Sequence, residues 1–234
     1  LLGWVVPLAS EGALARLHAS ALESVRAAVR GSELQLSAFR AVLSTAQDAT
    51  ALERWAAGQD LPQGLDPDLD LRWRALVGLA AQGAIDLERL DAELAAEPTN
   101  DARVSHARAH ASLPNPQAKA WAWSCFTGEV EVGNYELAAA GAGLWRRGQD
   151  HVNGQYVDRY FDELPGTVQV RSGWMLADAA EAFFPHTSLT AETLERAQRL
   201  AADENLDLSL RRRLLDEADD LQHLLAIQRA FPKR

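Results

Sequence analysis

The chain of 234 residues has one cysteine, one methionine and only two lysines. Because Cys125 is alone, no disulfide can form within the chain. Such sparse cysteine fits a reducing compartment and also a cysteine-poor secreted protein, and of the two we expect a cytoplasmic protein. Cys125 follows Trp123 closely and precedes Phe126, which favours a packed, inert thiol over a nucleophile. Since Met175 is the only methionine, we expect that the chain was cut from a larger protein or lost its leading part.

Long apolar runs and compact catalytic motifs are also missing from the sequence. No run of about 20 apolar residues occurs, which predicts no transmembrane span, and residues 1–8 are too short and lack the basic flank of a signal peptide. There is no Gly-x-Ser-x-Gly turn, no Gly-rich phosphate loop and no pair of zinc-binding cysteines. The turn His-Glu-x-x-His, which holds two zinc ligands and a general base on one helix, is absent as well.

The composition is that of a globular protein with an acidic surface. Hydrophobic residues make up 47% of the chain, enough to bury a substantial core. With 33 acidic against 23 basic residues, the net charge of -10 opposes nonspecific attraction to nucleic acids and anionic membranes. We therefore expect neither nucleic acid nor membrane among the partners.

Apolar residues recur at helical spacing almost throughout the chain, and no comparable strand alternation is seen. Leu14, Leu17, Leu22, Val25 and Val29 lie on one helical stripe. The fold class predicted is all-α. The helices are predicted at 11–29, 33–47, 50–58, 68–82, 86–96, 101–112, 116–126, 134–147, 151–163, 167–183, 190–202 and 207–229.

Helix start signals recur along the chain at a regular interval. Two capping boxes begin at Ser32 and Thr50, and further N-cap candidates are Asp86, Asp101, Asn115 before Pro116, and Asn134. The interval of about 15 residues per helix and 30–35 per pair predicts an irregular HEAT/armadillo-like superhelix of antiparallel helix pairs. The turn-rich segment 58–67 is the predicted hinge between subregions.

Large aromatic residues concentrate in the centre of the chain, and arginines accompany them. We expect a core that includes Trp121, Leu144, Tyr156, Tyr160, Phe161 and Trp174. Arg146, Arg147 and Arg159 are the candidate substrate-binding residues, because a guanidinium can hold the carboxylate of a peptide through two hydrogen bonds. The alternative is that these are ordinary surface arginines beside core aromatics.

A pair of histidines and one run of charged residues are explained better by structural roles than by catalysis or ligand binding. His106 and His110 share one helix face at i, i+4 spacing and could jointly bind zinc, but Ala107 stands where a zinc peptidase has its general base. We predict no metal site and no catalytic residue in this chain. The charged run 211–220 pairs arginines with acids one turn away and is predicted to be a solvated face.

Several ordered blocks resemble a known family. The segments 113–123, 145–149 and 156–165, and in the tail 188–197 and 212–221, are similar to the C-terminal helical domain of aminopeptidase N-like zinc peptidases. Residues 65–184 resemble the body of that domain. The resemblance implies that residues 1–10 are the end of an upstream module or a linker, and that residues 11–234 are the C-terminal α-helical superhelical domain.

The resemblance also implies a function. In this family, zinc and the chemistry belong to an upstream catalytic domain, so this fragment would have no cofactor and no enzymatic activity, whereas the full-length parent would be a zinc-dependent aminopeptidase. The domain would cap the active site, enclose the substrate cavity and contact the peptide downstream of the scissile bond. Its partners would be the upstream catalytic domain of the same chain and the peptide substrate, in a monomer.

Two alternatives from other classes remain. A stand-alone HEAT-like scaffold for protein-protein interaction would show the same helical pairs, and a helical metalloenzyme would use His106 and His110. A His-Glu-x-x-His motif in the reading frame upstream of Leu1 would favour the peptidase domain over both alternatives.

Overall fold

A computed structural model describes residues 11–231, and the regular structure in this range is entirely helical. The prediction of an all-α fold is confirmed. The thirteen α-helices and one 3₁₀-helix within 11–231 are α1 (Glu11–Ala27), α2 (Glu33–Thr45), α3 (Ala49–Ala56), α4 (Leu69–Ala81), α5 (Leu87–Ala96), α6 (Asn100–Ser112), α7 (Pro116–Thr127), α8 (Asn134–Leu144), α9 (Asp150–Asn153), α10 (Gln155–Glu163), the 3₁₀-helix Leu164–Gln169, α11 (Gly173–Ala182), α12 (Ala191–Ala201) and α13 (Leu208–Ala230).

The described residues form two compact units that meet in sequence at Leu113 and Pro114. The first unit contains α1–α6 and the second contains α7–α13. The predicted linker at 1–10 lies outside the described residues. The superhelical arrangement of helix pairs remains a prediction.

The first unit is built around α4, which packs against α2, α3 and α6. Trp73, Leu76 and Leu79 on this helix are almost completely buried. The predicted hinge at 58–67 lies inside this unit, so its assignment to a boundary was wrong. The reason is that the segment is packed: Gln35 Nε2 donates to the carbonyl of Gln63 at 3.2 Å, and Gly64 approaches the backbone of residues 30–31 too closely for a Cβ atom.

The second unit has an aromatic core. Phe126 on α7 stacks on Phe183, which follows α11, with ring centroids 4.7 Å apart, and also lies 5.9 Å from Tyr160 on α10. Trp123 contacts Phe126 at 5.0 Å. The buried hydroxyl of Tyr160 is satisfied, since it donates to the carbonyl of Ala180 at 2.7 Å. These rings tie α7, α10 and the end of α11 into one core.

The end of α11 receives a second buried hydrogen bond. The indole nitrogen of Trp145 donates to the carbonyl of Phe183 at 2.9 Å. Together with the Tyr160 hydroxyl, it satisfies carbonyls that the end of a helix leaves without partners. The last turn of α11 is therefore held from two sides.

The predicted helix starts are partly confirmed. Ser32 accepts from Gln35 N, Asp86 from Arg89 N, and Asn115 from Ala118 N with Pro116 in the first turn. Three other caps lie one or two residues earlier than predicted: Asp48 instead of Thr50, Thr99 instead of Asp101, and Gly133 instead of Asn134. In each case the earlier residue has the extended backbone that an N-cap requires.

Two of the longer predicted helices are interrupted. The predicted helix 151–163 divides at Gly154 into α9 and α10. The predicted helix 167–183 was wrong over its first residues, because the 3₁₀-helix ends at Gln169 and α11 begins at Gly173, whose φ of +61° is left-handed.

Four of the six predicted core residues are buried, namely Leu144, Tyr156, Tyr160 and Phe161. Trp121 is half-buried. Trp174 was wrongly placed in the core, since 65% of its surface is exposed in the first turn of α11. Helical spacing identifies the apolar face of a helix, but it does not show whether a residue in the first or last turn is covered by a neighbouring element.

Candidate functional site

Arg159 lies on α10 beside two buried aromatic rings of the second unit. Its guanidinium carbon is 5.1 Å from the ring centroid of Trp123 and 5.3 Å from that of Tyr156. Nε donates to Glu163 at 2.6 Å, one helical turn away. The predicted neighbourhood of arginine and central aromatics is therefore present at this position.

Glu163 completes this group by accepting hydrogen bonds from two sides. Its Oε2 atom lies 2.8 Å from the indole nitrogen of Trp123 and also accepts from Arg159. Burial opposes ionisation of Glu163, but the hydrogen bonds from Arg159 and Trp123 outweigh it and lower the pKa of the carboxyl. Arg159 is thus already paired with a carboxylate, and an incoming carboxylate would have to compete with Glu163.

Arg146 and Arg147 lie in the turn between α8 and α9. Arg146 is half-buried, and its carbonyl accepts from Asn153 Nδ2 at 3.4 Å. Arg147 is exposed and makes no ion pair or ring contact with any residue in 11–231. Of the three candidate arginines, Arg147 therefore has its charge directed most openly to solvent, while Arg159 alone joins the aromatic group.

A buried lysine that the sequence reasoning missed lies near this turn. Lys119 on α7 has no exposed surface, and its Nζ donates to the carbonyl of Gly143 at 3.2 Å in the last turn of α8. The negative end of a helix favours a cation there. Burial, with a smaller contribution from the charge of Arg146, lowers the pKa of Lys119 to about 7.

The sequence did contain a signal for this lysine. Lys119 shares its helical face with Ala122, Trp123 and Phe126 at i+3, i+4 and i+7, and all three are buried. A charged residue in the middle of an apolar stripe is the pattern to look for.

His106 and His110 lie on α6 in the first unit. His106 Nε2 is 2.8 Å from Asp91 Oδ1, and the two imidazole centroids are 6.1 Å apart. Burial and the neighbouring His106 lower the pKa of His110 to about 4, so that ring is neutral at pH 7. Among residues 11–231, no group of three or more His, Cys, Asp or Glu side chains is placed to hold a metal ion.

An open cleft of about 390 Å³ lies on the second unit between α10 and α12. Its lining residues are Phe161, Asp162, Arg196, Arg199, Leu200 and Asp203. Arg196 is paired with Asp158 and Asp162 and lies 5.0 Å above the ring of Phe161. Because two arginines and two aspartates line it, the cleft is not strongly selective for an anion.

The charged run 211–220 is only partly solvated, so the prediction of a solvated face was wrong for two residues. Arg213 pairs with Glu181 of α11 at 2.8 Å, and Glu217 is 7% exposed. Packing of α13 against α11 and α12 buries this part of the helix.

Two comparisons with known proteins found sequences similar to this chain. Residues 10–223 match the family model described as "ERAP1-like C-terminal domain". The chain is 29% identical to "Aminopeptidase N" of Streptomyces lividans over 230 residues, which is 97% of this chain and 27% of that relative. The chain thus spans about a quarter of the length of the curated relative it matches. Of the helices within 11–231, none is long and apolar enough to cross a membrane.

Proposed function

Because the chain belongs to the ERAP1-like C-terminal domain family, we propose that it is the non-catalytic C-terminal domain of a zinc aminopeptidase that removes N-terminal residues from peptides. The observation that carries this proposal is the family match over residues 10–223, supported by similarity to an aminopeptidase N over almost the whole chain. Zinc would be bound by the catalytic domain of the parent, and the parent would act in the cytoplasm as a monomer.

The proposed role of the domain is to cap the active site, to enclose the substrate cavity and to contact the peptide downstream of the scissile bond. An access-limiting cap explains how a peptidase would prefer peptides to folded proteins. A contact beyond the cleaved bond needs groups that recognise a peptide backbone or its carboxylate, and guanidinium groups do so while keeping their charge at any working pH.

Among the three candidate arginines, the contacts favour Arg147 for this role. Arg147 has no acidic partner within 11–231, so a peptide carboxylate would meet an uncompensated charge. Arg159 would first have to release Glu163. Arg146 is half-buried, and its charge acts on Lys119.

Alanine variants of Arg147 and Arg159 in the full-length peptidase test this proposal. We expect Arg147→Ala to lower kcat/KM for peptides of eight or more residues, since a charge-assisted hydrogen bond is lost. The loss corresponds to about 1–3 kcal/mol of transition-state stabilisation. Cleavage of a single-residue chromogenic substrate should stay unchanged, because only the longer ligand reaches the site. Arg159→Ala should have the smaller effect of the two.

Arg212→Ala is the matched control, since Arg212 is an exposed arginine of the same unit that lies on α13, away from the α8–α9 turn and α10 in sequence. The peptide contact is refuted if Arg147→Ala and Arg159→Ala process long and short substrates in the same ratio as Arg212→Ala. The peptidase role as a whole is refuted if the full-length protein cleaves no aminoacyl substrate with zinc bound.

A further inference from the structure

The terminal helix α13 carries an acidic side chain into the interior of the second unit. Only 8% of the Glu217 side chain is exposed, and its Oε2 atom lies 3.8 Å from Nδ1 of His186, in the segment that follows α11. This pair joins α13 to the end of α11. The proposed peptidase role makes no use of it.

The hydrogen bonding of His186 leaves an acceptor facing Glu217. Nε2 of His186 lies 2.9 Å from the carbonyl oxygen of Glu181, which can only accept, so Nε2 carries a hydrogen. In the neutral ring Nδ1 is then a lone pair, and a carboxylate oxygen opposite it is a second acceptor. The two atoms attract each other only when one proton is bound between them, either on Glu217 or on His186.

The surroundings of Glu217 favour the protonated pair. Carboxylates of Glu181, Asp216 and Asp220 act on Glu217, and the one opposing cation among the groups that act on it is Arg213, whose guanidinium is 2.8 Å from Glu181. Burial, followed by Glu181 and Asp220, raises the pKa of Glu217 to about 8.

The remaining elements around α13 offer Glu217 no compensating charge in the described part of the chain. On α10, the Tyr160 hydroxyl is committed to the carbonyl of Ala180. On α12, Arg196 is held by Asp158 and Asp162. Although 46% of the His186 side chain is exposed, desolvation by its packed side lowers the pKa of His186, whereas that of Glu217 is raised, so at neutral pH the proton resides on Glu217.

We propose that Glu217 and His186 form a proton-binding latch, in which one bound proton holds α13 against α11 and its loss releases α13. The end of α11 is the fixed side of this latch, because Tyr160 and Trp145 donate to its carbonyls. Buried apolar side chains such as Leu214 and Leu221 also hold α13, so loss of the proton makes transient release of α13 more frequent without detaching the helix. The packing of the terminal helix is therefore linked to pH.

The direction of the effect follows from proton linkage. The pKa of Glu217 is higher in the packed state than in the released state, where the side chain is in water. The latch is therefore fully closed below the ordinary glutamate pKa, and its contribution is lost as the pH rises through about 8. Between the ordinary glutamate pKa and about 8, the closed state holds one proton more than the released state, and each pH unit weakens the closed state by up to about tenfold; above about pH 8 both states are ionised and the weakening levels off.

Hydrogen exchange of backbone amides measures this release. Protection factors for 208–230, corrected for the intrinsic rate, would be compared at pH 6, 7, 8 and 9. In the wild-type protein we expect them to fall about tenfold between pH 6 and 7 and to level off above pH 8. In Glu217→Gln they should stay constant, because the amide keeps the shape of the neutral acid and donates to His186 at every pH. Asp219→Asn, an exposed neutralisation on the same helix, should behave as the wild type does.

The latch is refuted if protection in Glu217→Gln falls in parallel with the wild type, or if the wild-type fall extends equally over α7 and α8, which would indicate general unfolding. Titration of the glutamate carboxyl ¹³C resonances in the wild-type protein gives an independent answer without any substitution. We expect one of them to titrate between pH 7 and 9. If every glutamate titrates below pH 6, the proposal fails.

Discussion

At the scale of single residues, Lys119 is the side chain whose environment differs most from its usual one. An ammonium group with no exposed surface loses its hydration, and the carbonyl of Gly143 is one of the groups that replace it. The pKa of about 7 means that near neutral pH about half of the molecules carry this buried charge. The Lys119 amine is therefore protonated at acidic pH and mostly neutral in mild base.

Replacing Lys119 by methionine should remove this pH dependence. The folded pKa lies below the unfolded value, so the unfolded state binds more protons between about pH 7 and 10.5. Over that range the free energy of unfolding of the wild type should rise relative to Lys119→Met by up to about 1 kcal/mol per pH unit. Urea unfolding of both proteins at pH 6, 8 and 9.5 measures the difference.

An exposed substitution serves as the reference for this measurement. Arg212→Met removes a cation from the surface of α13 and should follow the wild type at all three pH values. A constant difference between wild type and Lys119→Met across the range would show that the amine is not titrating in the interior.

Only part of the burial of single side chains could be predicted from the sequence. The positions of Tyr160 and Phe161 in the core follow from helical spacing, because any residue on the apolar face of an amphipathic helix is driven inwards. Lys119 and Glu217 are driven inwards by the same geometry against their own chemistry, and residue type alone assigns them to the surface. Trp174 is the opposite case, a large apolar residue in the first turn of a helix that stays 65% exposed.

At the scale of elements, α8 and α11 pack so closely that one position of their contact accepts only glycine. A Cβ atom built on Gly141 would overlap the carbonyl oxygen of Ala182 and would lie 2.9 Å from the ring of Phe183. Both obstacles belong to the segment that also receives the hydrogen bonds from Tyr160 and Trp145. The segment cannot move away without losing them.

We therefore expect Gly141→Ala to destabilise the protein by about 2–4 kcal/mol, although alanine is the better helix former. The penalty arises because the added methyl group forces α8 away from the end of α11, whose carbonyls already accept hydrogen bonds from Tyr160 and Trp145. Gly166→Ala is the matched control, since an added Cβ there meets no atom within 4 Å. Thermal unfolding of both variants checks the expectation, and equal midpoints for the two would show that the helices can shift apart freely.

The existence of the helices could be predicted from the sequence, whereas their interruptions could not. Helix existence follows from apolar periodicity and from caps such as Asn115 before Pro116, which act within a few residues. Interruptions depend on local backbone conformation, which apolar periodicity does not reveal. The division of 151–163 falls at Gly154, and α11 starts late at Gly173, whose φ of +61° is left-handed.

At the scale of the whole molecule, the family assignment predicts a domain that supports catalysis without performing it. The purified chain should show no turnover of aminoacyl amide substrates, with or without added zinc, because the sequence contains no His-Glu-x-x-His motif. An assay over a range of zinc concentrations checks this. Zinc-dependent activity that disappears in His106→Ala, and persists in the surface variant His223→Ala, would contradict it.

The division at Leu113 and Pro114 has a consequence for how the protein is made. All of the described residues of the first unit precede all of those of the second, so the contacts of α1–α6 can be completed while the ribosome is still adding α7–α13. At roughly 5–20 residues per second, the remaining chain takes on the order of ten seconds to synthesise. The aromatic core of the second unit, by contrast, joins Trp123 and Phe126 to Phe183 and must wait for that later segment to emerge. Until then the rings of Trp123 and Phe126 lack their partner Phe183 and are open to binding by a chaperone.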